Sequence, residues 1–111
     1  MTSQEAISDL DASLAADGED VQLQRAGGQT AATLACRAFV RGFKPAELAG
    51  GIIQGDRLVI ISNSEIAAQA WPGPPKKPDS VVIAGRVTTI QGVETIRLGA
   101  VAVRHNIQVR G

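Results

Sequence analysis

Hydrophobic positions near the N-terminus follow a helical period. Three apolar residues recur at spacings of three and four, which places them on one narrow helix face. These residues are Ile7, Leu10 and Leu14. Thr2 and Glu5 match a capping box at the helix start, and Gly18 is suited to end it. Because so thin a stripe cannot hold a helix in water, we expect residues 1–18 to form a helical arm that lies on this chain or on another subunit.

After the arm the apolar period changes to two, which is typical of strands. Strands are predicted at 21–24, 34–41, 57–62, 81–84, 86–90 and 101–110, with turns at 26–28, 55–56 and 91–94 and a bulge or a turn at 99–100. A short helix is expected within 44–51, where Pro45 suits a first turn. Short strands at regular spacing predict a mainly β fold. We expect a small β-barrel or sandwich over residues 19–111.

One long connection, at residues 63–80, interrupts this pattern. Residues 64–70 can form a capped helical turn, but the four prolines between 72 and 78 exclude helix and strand there. Long connections in compact domains are usually functional or disordered. This one contains the only tryptophan, Trp71, and the only pair of adjacent lysines, Lys76 and Lys77. We therefore interpret these three residues, together with the stripe on the arm, as candidate docking elements.

Charge is distributed unevenly along the chain. The formal net charge is zero, but residues 1–20 carry six acidic residues and no basic one. An acidic arm on a basic body favours electrostatic docking, either within the chain or onto a neighbour. A solvated helix on a mildly basic domain explains the same distribution equally well.

Length and hydropathy set further limits. The 111 residues suit one domain. No apolar run is long enough to span a bilayer, and the N-terminus lacks the basic and apolar regions of a signal peptide. We therefore expect the protein to be made and kept in the cytoplasm.

Residues that usually carry catalysis or bind metals are few. Cys36 and His105 are the only cysteine and histidine, and neither lies at a metal-ligand spacing. Cys36 falls on an apolar face as a small buried residue, and His105 lies between Val103 and Ile107 as a core or rim histidine with one hydrogen bond. A Cys–His dyad would require the fold to bring the two together. We predict no catalytic, cofactor-binding or metal site, and no enzymatic activity.

The remaining candidates have ordinary structural explanations. Asp56 and Asp79 each precede a strand beside Gly or Pro, where an aspartate commonly caps a turn; an acid–base pair is the alternative. The sequence has no glycine-rich phosphate loop. Aromatic residues make up 3% of the chain, which disfavours RNA binding by base stacking on a sheet.

The order of these features resembles a known family. An acidic helix precedes a β domain that contains Gly-Asp-Arg-Leu-Val-Ile-Ile at 55–61, Trp-Pro-Gly-Pro-Pro at 71–75, Pro-Asp-Ser-Val-Val-Ile at 78–83 and Ile-Gln-Val-Arg-Gly at 107–111. In this order the chain is similar to the small head–tail joining proteins (head-completion or stopper proteins) of long-tailed phages and prophages. The similarity is strongest over residues 55–111.

The resemblance implies a structural protein of virion assembly. Such a protein is a β-barrel with a helical arm, recruited into an oligomeric ring, usually a hexamer, between the portal or its adaptor and the tail terminator. It would be made in the bacterial cytoplasm and end in the virion neck, where it closes the portal channel on packaged DNA. A basic body could approach that DNA without reading bases.

Two other functions compete with this interpretation. Another small neck or tail component, such as a tail terminator or baseplate adaptor, has similar size and assembly behaviour. A small enzyme or regulatory binding domain would instead use a cleft under the 63–80 connection, with perturbed carboxylates or His105 inside it.

Overall fold

The fold is known from a computed structural model that describes residues 2–25, 32–43, 52, 55–68, 75–77 and 79–111. The helices are α1 (Ser3–Asp17) and α2 (Asn63–Ala68). The strands are β1 (Glu19–Arg25), β2 (Ala32–Gly42), β3 (Arg57–Ser62), β4 (Ser80–Ile83), β5 (Arg86–Leu98) and β6 (Val101–Arg110). The turn predicted at 26–28, the helix predicted within 44–51, and Trp71 lie outside the described residues.

The six strands form a closed antiparallel barrel in the order β1-β2-β3-β6-β5-β4, with β4 pairing back onto β1. The predicted mainly β fold is therefore confirmed, and of the two predicted architectures the chain adopts the barrel. Closure leaves every strand with two neighbours over part of its length, which protects the backbone hydrogen-bonding groups of a small sheet.

Helix α1 begins and ends as its sequence predicts. Thr2 accepts a hydrogen bond from the Glu5 backbone N–H, and the Glu5 carboxylate accepts one from the Thr2 N–H, each at 3.1 Å. These two contacts complete the capping box. At the other end the Gly18 N–H donates to the Leu14 carbonyl at 2.9 Å, and the chain passes directly into β1.

The predicted turn at 91–94 is wrong. Strand β5 runs without interruption from Arg86 to Leu98, and its pairing with β6 shifts register between Ile90 and Gly92 and again between Ile96 and Arg97. A glycine inside an alternating segment marks a bulge as readily as a turn. Of the bulge or turn predicted at 99–100 the structure has the turn, and another turn at Ala84–Gly85 joins β4 to β5.

The barrel interior is filled by aliphatic side chains at alternate positions of every strand. Alternation along a strand places successive side chains on opposite faces, so one parity builds the core. The fully enclosed aliphatic residues are Leu23, Leu34, Val59, Ile61, Val81, Ile90, Ile107 and Val109. At about 25 cal/mol per Å² of apolar surface, their burial is the main stabilising contribution to the fold.

Helix α1 lies on the outer face of the barrel, against β2, β3 and β6. Ser62 has the outward parity of β3, yet it is 1% exposed. Its hydroxyl lies 3.0 Å from that of Ser64, which donates to Asp11 of α1 at 2.8 Å. Arg37 of β2 donates from Nε to the Leu14 carbonyl at 3.2 Å. The surface that the thin apolar stripe requires is therefore supplied within the same chain.

Candidate functional site

A recess opens at one end of the barrel. It has a volume of about 580 Å³. Strands β3 and β5 begin at this end, and β4 and β6 finish there. Three arginines line the recess, Arg57, Arg86 and Arg110, together with Asp56 and Gly111. We call these three arginines and the recess they line the arginine mouth.

Strand parity explains why two of the arginines meet at the mouth. Arg57 has the parity of Val59 and Ile61, and Arg86 has that of Thr88 and Ile90, all four of which are buried. Both arginines therefore occupy the first core-facing position of their strand, at the rim of the barrel. An apolar residue would be expected there if the position served only the core.

The third arginine is fixed by a carboxylate. Arg110 donates from Nε to Oδ1 of Asp56 at 2.8 Å and from Nη2 to Oδ2 at 3.0 Å. Gln108 also donates to Oδ2 of Asp56, at 2.8 Å. The hydrogen bond to Asp56 raises the pKa of Arg110. Asp56 is 2% exposed, so it holds the Arg110 side chain in a defined position at the rim.

The opposite end of the barrel carries a nearly buried ion pair. Arg25 donates from Nε to Asp79 Oδ1 at 3.0 Å and from Nη2 to Oδ2 at 2.7 Å. The backbone N–H of Lys76 adds a bond to Asp79 Oδ2 at 3.1 Å. The Asp79 and Arg25 side chains are only 4% and 14% exposed. Each of the two aspartates interpreted as a turn cap is thus also paired with an arginine far away in sequence.

His105 is a core residue with two side-chain partners. It is 1% exposed, and its ring contacts the Thr95 hydroxyl through Nδ1 at 2.9 Å and the side-chain amide oxygen of Asn63 through Nε2 at 2.8 Å. Burial lowers the pKa of His105, and the charge of Arg97 lowers it further. The sequence analysis expected a core or rim histidine with one hydrogen bond. The structure places His105 in the core with two.

Cys36 is buried, as its parity predicts. Burial raises the pKa of its thiol to about 12, with a further contribution from the charge of Glu65. A thiol in this state is the protonated and unreactive form. Cys36 pairs with Val21 on β1, and His105 pairs with Thr95 and Ile61. The neighbours of each residue explain its position, and no Cys–His dyad is needed to explain it.

The predicted docking residues are placed differently from one another. Leu14 is 3% exposed, and Ile7 and Leu10 are partly buried. The stripe is therefore shielded to a large extent in the isolated chain. Lys76 and Lys77 are exposed, and Trp71 lies outside the described residues.

An exposed apolar surface lies at the tip of the β5–β6 hairpin, which the sequence analysis missed. Leu98 and Val101 pair across the turn and are 42% and 45% exposed. The pairing of β6 with β3 ends at Arg104, so the apolar parity of β6 continues past the end of the barrel. We call residues 98–101 the hairpin tip. Alternation places Val101 on the same strand face as the buried Val103, but periodicity does not show where the neighbouring strand β3 ends.

Among the residues that the structure describes, no group of three or more His, Cys, Asp or Glu side chains is placed to hold a metal ion. None of the described helices is long and apolar enough to cross a bilayer. No family model, no curated protein and no solved structure significantly matches this chain. Its function is therefore inferred from the residues and contacts described above.

Proposed function

We propose that this protein is a structural connector of a phage or prophage particle, a ring-forming barrel that joins the DNA-filled head to the tail and closes the portal channel. The observation that carries the proposal is the exposed apolar hairpin tip on an otherwise closed barrel. Scattered exposed apolar residues are ordinary, but Leu98 and Val101 are adjacent across a turn and project beyond the barrel wall. In a ring, this tip packs against the neighbouring copy.

The surroundings of the chemically capable residues agree with a structural role. The His105 ring is held by Thr95 and Asn63, and the Cys36 thiol is kept protonated by burial. Asp79 is neutralised by Arg25. Each of these groups has a stabilising contact within the chain that explains its position.

The docking elements differ in the role that they take. The portal or its adaptor on one side and the tail terminator on the other are the proposed partners. Lys76 and Lys77, which are exposed, supply charge for one of these contacts. Ile7 and Leu10 retain part of their surface for a neighbour, whereas Leu14 serves this chain's own barrel.

A complementation assay tests the proposal. In a lysogen lacking this gene, we expect the wild-type chain to restore complete particles and a Leu98→Ser/Val101→Ser variant to lose most of that activity. Val87→Ser is the matched control, because Val87 is 59% exposed away from the tip. Melting curves should show that all variants fold.

The location of the protein in purified particles separates the alternatives. Labelling of the protein at the neck supports the connector role. Labelling at the distal end of the tail indicates a baseplate adaptor, and labelling at the head-proximal end of the tail indicates a tail terminator. A gene that lies in a metabolic operon and has no effect on particle formation overturns the proposal.

A further inference from the structure

The core-facing arginines at the two ends of the barrel differ in whether a carboxylate pairs with them. At the end where β1 finishes, the core-facing Arg25 is neutralised by a buried aspartate, Asp79. At the arginine mouth the core-facing positions are Arg57 and Arg86, and no carboxylate pairs with either of them within the described part of the chain. Glu19 begins β1 at the same end, but it does not line the recess. The charge of the core-facing arginine is thus neutralised by a carboxylate at one end, whereas the charges of the two at the other end are not.

Three guanidinium groups around one recess repel one another. Asp56 offsets one of the three positive charges and the α-carboxylate of Gly111, which also lines the recess, offsets a second, so the lining groups keep a formal excess of one. Like charges gathered at a partly enclosed site are unfavourable unless a counter-ion is bound there. Barrel mouths are also among the preferred places for ligand sites. The arrangement is therefore that of a site for an anion.

The chemistry of the donors selects the class of anion. Guanidinium groups present planar, forked donors that match the oxygens of phosphate, and they stay charged at every physiological pH. Arg110 is held at the rim by Asp56, so part of the site is ordered before a ligand arrives. A volume of about 580 Å³ accommodates a group larger than a single phosphate.

We propose that the arginine mouth binds a phosphate-bearing ligand. Free diphosphates and nucleotides offer this chemistry, and so does the backbone of a nucleic acid strand. Arg57 and Arg86 supply the net charge, and Arg110 supplies an oriented guanidinium at the rim. This inference does not depend on the connector role, because it rests on the charge balance of one end of the isolated barrel.

Calorimetric titration at low salt with pyrophosphate, with a nucleoside triphosphate and with a short DNA duplex tests the site. We expect Arg57→Gln/Arg86→Gln to weaken binding by about tenfold or more, as the loss of charge-assisted hydrogen bonds does. The matched control is Lys76→Gln/Lys77→Gln, which removes the same net charge from exposed positions elsewhere. This control should change binding by about twofold or less, since exposed charges are screened.

The three ligands identify the source of the phosphate. If pyrophosphate or the triphosphate binds the wild-type protein and the Arg57→Gln/Arg86→Gln variant binds it more weakly, the ligand is a free phosphate compound. If only the duplex binds, and its salt slope falls by about one for each arginine removed, the ligand is the nucleic acid backbone. The single variant Arg86→Gln, at an exposed position, gives the same answer if the double variant does not fold. Equal binding by the mouth and control variants, or no binding by the wild-type chain, overturns the proposal.

Discussion

The imidazole of His105 connects the barrel wall to the start of helix α2, because its Nε2 lies 2.8 Å from the side-chain amide oxygen of Asn63. With that oxygen facing the ring, Nε2 donates its hydrogen to Asn63, and Nδ1 accepts one from the Thr95 hydroxyl at 2.9 Å. Both ring nitrogens are therefore satisfied in the neutral form. The buried ring needs no charge to keep its contacts.

Stability should fall on mild acidification because of this histidine. Its pKa is lowered from 6.5 by burial and by Arg97, so the unfolded chain takes up a proton at a higher pH than the folded one does. Stability is therefore complete above pH 6.5 and is lost as the pH falls from there toward the lower folded pKa. Urea unfolding at pH 7.5, 6.5 and 5.5 measures the effect. His105→Gln should reduce the change of the unfolding free energy with pH. If that change is the same as in the wild type, another group titrates.

The ion pair between Arg25 and Asp79 should contribute far more than its exposed counterpart. Arg25→Met leaves a nearly buried carboxylate without its charged partner, which costs about 3–5 kcal/mol of unfolding free energy. Asp20→Asn breaks the contact with Arg37, whose members are 39% and 89% exposed, and should cost less than about 1 kcal/mol. Urea unfolding of both variants provides the comparison. Equal costs would mean that Asp79 relaxes toward solvent.

Helix α1 should contribute to barrel stability mainly through one side chain. Leu14→Ala removes a 3% exposed leucine and should destabilise the protein by about 2–3 kcal/mol, at the lower end for core leucines because the site is at the periphery. Leu10→Ala, at a partly buried position, should cost about 1 kcal/mol. Thermal unfolding followed by circular dichroism tests both. A Leu14→Ala variant as stable as the wild type would indicate an arm that detaches from the barrel.

Cys36 should resist modification while the protein is folded. Its thiol has a pKa of about 12 because it is buried beside Glu65, so almost no thiolate exists at pH 8. A disulfide-exchange reagent should label the folded chain only as fast as the barrel opens, and the urea-unfolded chain within minutes. Rapid labelling of the folded protein would show that β2 opens locally.

The hairpin tip should leave the isolated protein monomeric at micromolar concentration. Leu98, Val101 and the two residues between them form a patch far smaller than the interfaces of obligate dimers. Sedimentation velocity should therefore give one species near the monomer mass of 11.5 kDa. A tight dimer that persists on dilution would contradict this, and its loss in the Leu98→Ser/Val101→Ser variant would locate the interface.

The sequence by itself determined the local elements whose signals are complete within a few residues. Thr2 and Glu5 specify the start of α1, and the apolar run at 57–62 specifies β3 with its bounds. The alternation from Val103 to Val109 specifies the core face of β6, including His105. These elements follow from backbone propensity and from the period at which side chains return to one face. Local signals do not decide the structure at Gly92, since only the pairing of β5 with β6 distinguishes a bulge from a turn there.

Tertiary structure decided everything that depends on strand order and on where a neighbouring strand ends. Closure of the barrel brings Arg25 to Asp79 and Arg110 to Asp56, each pair separated by 54 positions, and it places Arg57 and Arg86 at one mouth. The exposure of Val101 follows from the early end of β3, while the burial of Leu14 follows from the face that α1 covers. No local pattern encodes these distances, because they arise from the register between strands that the chain forms far apart.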